Sequence, residues 1–142
     1  MIAGVVAAYA AVAVLASWPA DADDYRGVAV RSANDALSQV RTVRLVLQSE
    51  VDGAVLSPYA STVVGQARED LATAVTDFAG EEVPDRTVAD VAARLGGLLD
   101  EALRAVGAAE AALDADGDGA AGAVRALSDV GDRLAAFSEE NR

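Results

Sequence analysis

Any chemistry in this chain must come from carboxylates, guanidinium groups and hydroxyls. Its 142 residues include 23 acidic and 11 basic side chains, and every basic one is Arg. Lys, His and Cys are absent. The densest cluster is Asp114-Ala115-Asp116-Gly117-Asp118-Gly119, with carboxylates at alternate positions. Oxygen donors spaced this way can approach a hard divalent cation from within one loop. Adjacent acids also occur at Glu69-Asp70, Glu81-Glu82, Asp100-Glu101 and Glu139-Glu140. Neighbouring residues on a helix point in different directions, so these pairs cannot share a proton at one site. They read as solvated acidic faces.

The missing residue types remove whole classes of function. Disulfide frameworks, zinc fingers, iron–sulfur clusters, Schiff-base lysines and Ser–His or Cys–His nucleophiles are all excluded. Di-iron bundles of the Glu-x-x-His type need a His that is not there. No glycine-rich phosphate loop of the required spacing is present. A net charge of −12 opposes binding to a phosphate backbone. The expectation is a non-enzyme with no catalytic residue, no cofactor and no nucleic-acid partner.

The run from Asp114 to Gly119 resembles the opening of an EF-hand calcium loop. That resemblance implies Asp114, Asp116 and Asp118 as alternating ligands and Gly119 at the sixth position. It covers six residues only. The twelfth position, where the family places a bidentate Glu, is Arg125. A polar turn between two helices is the competing reading, and the expected metal set is none beyond this weak candidate.

The elements that would position such groups begin with an uncharged stretch, Met1 to Trp18. As a helix it would reach about 27 Å, close to the roughly 30 Å hydrocarbon core of a bilayer. Trp18 stands where an interfacial aromatic belongs, Pro19 stops the helix, and Asp21, Asp23 and Asp24 mark the return to water. We expect 1–18 to be a single transmembrane helix, 19–24 a short acidic connection, and 25–142 a separate domain. A cleaved signal peptide is the alternative, with Ala20-Asp21-Ala22 as the cleavage site. The absence of basic residues upstream argues against it.

Ala3, Ala7 and Ala11 repeat at four-residue spacing, and Gly4 with Ala8 forms a second small pair. In lipid such faces let helices approach closely. They imply docking against other integral membrane subunits. Tyr9, within the same stretch, would then find a hydroxyl partner on a neighbour. Orientation is contested. Arg26 and Arg31 favour the C-terminal side as cytoplasmic, whereas a −12 domain is repelled by an anionic inner leaflet. We favour the plasma membrane, single-pass, with the domain extracytoplasmic.

Four amphipathic helices are expected after the anchor, at about 25–55, 58–79, 87–113 and 120–138. The first carries a seam of Val30, Ala33, Leu37, Val40, Leu47 and Val51, interrupted by Arg44, which can reach outward. The second should start with Ser57 as N-cap before Pro58, bury Ala60, Val64, Ala67, Leu71, Ala74 and Phe78, and stop at Gly80. The third should be capped by Thr87 and Asp90 and bury Val88, Val91, Leu95, Leu98, Ala102, Ala105, Ala109 and Leu113. Gly96-Gly97 should kink it or admit a close neighbour. The fourth carries Val124, Leu127, Leu134 and Phe137, with Gly131 on the stripe. Asp90–Arg94, Asp100–Arg104 and Asp129–Arg133 have the favourable acid-first spacing of four.

The fold expectation is therefore all-α: an N-terminal single transmembrane helix followed by an antiparallel four-helix bundle. With 34 Ala and 20 Val, the composition also resembles that of a GC-rich genome such as an actinobacterium's, or of a salt-adapted archaeon. The function expected is a non-catalytic accessory or structural subunit of a larger membrane complex. Its partners would be other integral membrane subunits and the lipid bilayer, with a homo-oligomer also possible. The alternative is an extracytoplasmic ligand-sensing or binding bundle. Bacterial chemoreceptor and histidine-kinase input domains are similar in outline, a membrane helix followed by four helices. A secreted soluble bundle follows if the first segment is cleaved.

Overall fold

A computed structural model describes residues 21–142. The expected anchor, with Ala3, Gly4, Ala7, Ala8, Ala11 and Trp18, lies outside the described residues. Among the described residues, no helix is long and apolar enough to cross a membrane. Those residues form four α-helices and one 3₁₀ turn: α1 Ala22–Val51, α2 Ser57–Ala79, the 3₁₀ turn Arg86–Val88, α3 Ala89–Asp114 and α4 Ala120–Glu140.

The start of α1 corrects the expected acidic connection. Asp21 is the N-cap, and its carboxylate accepts from the Asp24 amide at 2.8 Å. Asp23 and Asp24 then occupy the first turn, where the positive end of the helix dipole favours them. Residues 22–24 are thus helix. The other end of α1 is also earlier than expected. The Ala54 amide donates to the Ser49 carbonyl at 2.7 Å and the Gly53 amide to the Glu50 carbonyl at 2.9 Å. That pair of bonds is a Schellman closure around Gly53, whose φ of 73° suits a residue without Cβ.

Capping by Ser57 does not occur. Leu56 is the N-cap of α2, and no side chain caps it. The Ser57 hydroxyl instead donates to the Glu50 carboxylate at 2.8 Å, tying α2 back to the last turn of α1. The Thr87–Asp90 capping box also gives way to a different arrangement. Asp85 accepts from both the amide and the hydroxyl of Thr87, which starts the 3₁₀ turn that leads into α3. Gly80 is the C-cap of α2 as expected, although its φ of −82° is right-handed.

Each helix packs on its neighbour in the chain, and α1 also packs on α4, so the bundle closes. Consecutive helices run in opposite directions. Arg94 near the start of α3 pairs with Glu140 at the end of α4, and Glu101 further along α3 pairs with Arg133. Tyr25 at the start of α1 packs against Phe78 at the end of α2, ring centroids 6.0 Å apart and the planes tilted by 46°. Across the bundle α1 touches α3, but α2 does not touch α4. Alanines explain the difference. The buried faces of α1 and α3 carry Ala29, Ala33, Ala36, Ala102, Ala105, Ala109 and Ala112, which let the two backbones approach.

The core matches the expected stripes on α2, α3 and α4 closely. Ala60, Val64, Ala67, Leu71 and Phe78 are buried, as are Leu95, Leu98, Ala102, Ala105, Ala109 and Leu113, and Leu127, Leu134 and Phe137. Ala74, Val91 and Val124 are half-buried. On α1 the expected seam is out of phase at both ends. Val30 is half-buried and Val51 exposed, while Ala29 and Val43 take the core positions. Gly131 lies against α1, and a Cβ there would stand 3.5 Å from Val40. Gly96-Gly97 neither breaks α3 nor admits a neighbour, since a Cβ on either would meet nothing within 4 Å.

Candidate functional site

The two ends of the bundle differ. One end holds the start of α1, the 80–85 connection and the last residues of α4. The far end holds the two five-residue connections, 52–56 and 115–119, and lies about 45 Å away along the 30 residues of α1.

Four of the five large apolar side chains left in water among the described residues gather toward the far end, Val83 in the 80–85 connection being the other. Leu45 is 67% exposed, Val51 56%, Leu56 78% and Tyr59 59%. They belong to the last two turns of α1, the 52–56 connection and the first turn of α2. Val51 and Val124 also face a shallow apolar cleft of about 360 Å³ between the end of α1 and the start of α4. Glu50, Asp52, Asp114, Asp116 and Asp118 surround this end with negative charge, against Arg125 alone on the first turns of α4. An apolar tip rimmed by acids can hold an apolar surface flanked by basic side chains.

The expected calcium ligands sit in the 115–119 connection and at the end of α3. Asp114, Asp116 and Asp118 are all exposed. Among the described residues, no three acidic side chains gather closely enough to hold a metal ion. Backbone geometry accounts for the residue types in this loop. Asp116 takes a left-handed conformation, φ 52°, and the Gly117 amide closes onto the Ala112 carbonyl at 2.8 Å.

The charged faces between helices are held differently from the expected four-residue pairs. Arg94 binds Glu140 at 2.7 Å, Arg68 binds Glu110 at 2.6 Å, and Arg133 binds Glu101. Arg104 donates to the Asp100 backbone carbonyl, not to its carboxylate. Guanidinium groups long enough to span two helices thus satisfy acids on the neighbour instead of one turn away. Arg44, which interrupts the α1 seam, reaches outward and donates to Ser128 on α4 at 2.9 Å. Arg94 also lies 5.6 Å over the Phe137 ring.

Sequence reasoning did not single out Leu45, Leu56 or Tyr59. A signal was available for two of them: Tyr59 falls off the Ala60–Val64–Ala67 stripe, and Leu45 falls off the Val40–Val43–Leu47 face. No protein-family model, curated protein or solved structure matches the chain.

Proposed function

We propose that the chain is a non-catalytic, single-pass accessory subunit of a membrane protein complex. Met1 to Trp18 spans the plasma membrane and packs its small face, Ala3, Gly4, Ala7, Ala8 and Ala11, on other integral subunits. The acidic bundle stands on the extracytoplasmic side. It acts as a stiff spacer and offers its apolar far tip to an extramembrane part of the same assembly.

One observation carries this reading. The uncharged run of 18 residues is followed after only two residues by Asp21, the N-cap of a 30-residue packed helix. So short a join transmits position from the membrane to the bundle. Leu45, Val51, Leu56 and Tyr59 lie away from that join, which supports the spacer role.

Mild-detergent purification of the native full-length chain with stoichiometric mass spectrometry tests the reading. Co-purifying integral membrane subunits at fixed ratio are expected. Replacing Leu56 and Tyr59 by Ser should leave the membrane subunits bound but remove or weaken an extramembrane contact. A chain that purifies alone in every detergent contradicts the proposal.

A further inference from the structure

A second cleft opens at the near end, between α1, α2 and α3, with a volume of about 200 Å³. Its floor is made by Tyr25, Phe78 and Leu99, all buried. Val83, the exposed apolar side chain of the 80–85 connection, forms one lip. Glu81 and Asp100 border the mouth, both exposed, and neither joins an ion pair among the described residues.

Gly96 also borders this cleft. In a helix interior glycine costs about 1 kcal/mol relative to alanine. No packing demand offsets that cost, because a Cβ at Gly96 would meet nothing within 4 Å. The missing side chain leaves open space on the wall of a cleft that Tyr25 and Phe78 also line. Burial raises the Tyr25 phenol above its ordinary pKa, and the negative charge of Glu81 raises it further. Glu81 lines the same cleft, so its negative charge acts there.

We propose that this cleft binds a small organic ammonium ion carrying one apolar ring or branched chain. Apolar walls accept the hydrocarbon part, and the Tyr25 and Phe78 rings favour a cation over an anion. Glu81 and Asp100 neutralise the ammonium group at the mouth. The volume is below the roughly 300–1,000 Å³ of pockets for drug-sized ligands, which limits the occupant to a single ring with a short amine arm. Membrane attachment plays no part in this inference, so it stands or falls apart from the anchor.

The test titrates phenethylammonium chloride into the isotopically labelled full-length chain and follows backbone amide shifts. Saturable shifts confined to Tyr25, Phe78, Glu81, Gly96 and Leu99 are expected. The anion 3-phenylpropionate should bind at least tenfold more weakly. Gly96→Leu should fill the cleft and abolish the shifts while the thermal midpoint holds or rises. Gly96→Ala, with a single added methyl, keeps the test open if the larger variant does not fold, and should weaken binding severalfold. The double variant Glu81→Gln, Asp100→Asn should also weaken it severalfold. Non-saturating shifts spread over the acidic faces would overturn the proposal. So would equal binding of the anion, or unchanged affinity in both Gly96 variants.

Discussion

Ser138 is the one buried side chain whose polar atom has no partner among the described residues. It sits on α4 beside Phe137, 2% exposed. An unsatisfied buried hydroxyl costs about 1–3 kcal/mol. Ser138→Ala should therefore raise unfolding free energy by about 1 kcal/mol, read as a higher urea midpoint at constant slope. Asp116 makes a similar case in backbone terms. Its left-handed φ is tolerable for Asp and free for Gly, so Asp116→Gly should stabilise by a few tenths to about 1 kcal/mol. The same measurement repeated with calcium chloride should give no calcium-dependent shift in either protein. A wild-type midpoint that rises with calcium, and a variant that does not follow, would restore the loop as an ion site. At this scale the sequence was only partly legible. Asp116 stands out as one of three alternating carboxylates, but left-handed geometry explains the run as well as ligation does. Ser138 carries no signal at all, because its burial depends on where α4 meets its neighbours.

Helix identity was readable because the apolar residues of α2, α3 and α4 recur every three to four positions. On α1 the expected seam sets Val30, Leu37 and Val51 beside Ala33, Val40 and Leu47, with Arg44 interrupting it. The core keeps Ala33, Leu37, Val40 and Leu47 but takes its flank from Ala29, Ala36 and Val43, so the larger Val30 and Val51 drew the expected seam to the wrong side of that stripe. The helix ends were misread for a different reason. Ser57 and Thr87 are good capping types, but Glu50 and Asp85 claim their hydroxyls. Asp85 gives a pH signature for its element. Hydrogen bonds from the Thr87 hydroxyl and amide hold its carboxyl below the ordinary value. Its stabilisation is therefore complete above the usual Asp range and is lost as pH falls through the depressed folded value. Asp85→Ala should destabilise at neutral pH and converge with the wild type in strong acid, followed by circular dichroism. The inter-helix pairs call for a separate expectation. Arg94 and Glu140 are each about half exposed, so their coupling in a double-mutant cycle should stay below about 1 kcal/mol. Arg94→Ala should cost more than Glu140→Gln, because it also strips the cover from Phe137.

For the molecule as a whole, the bundle follows from short connections and four apolar stripes, which is why an all-α domain was legible in the sequence. The placement of surface features was not. That Leu45, Val51, Leu56 and Tyr59 share one end, and Tyr25, Phe78 and Gly96 the other, depends on the antiparallel register of the helices. Periodicity within one helix does not contain that register. The account of function turns on the polar bundle being tied to lipid through Met1 to Trp18. Its most direct test is extraction of cell membranes holding the full-length native chain with alkaline carbonate, followed by ultracentrifugation and intact-mass measurement. Full-length protein in the pellet, released only by detergent, is the predicted result. Recovery of the intact chain in the carbonate supernatant would contradict it.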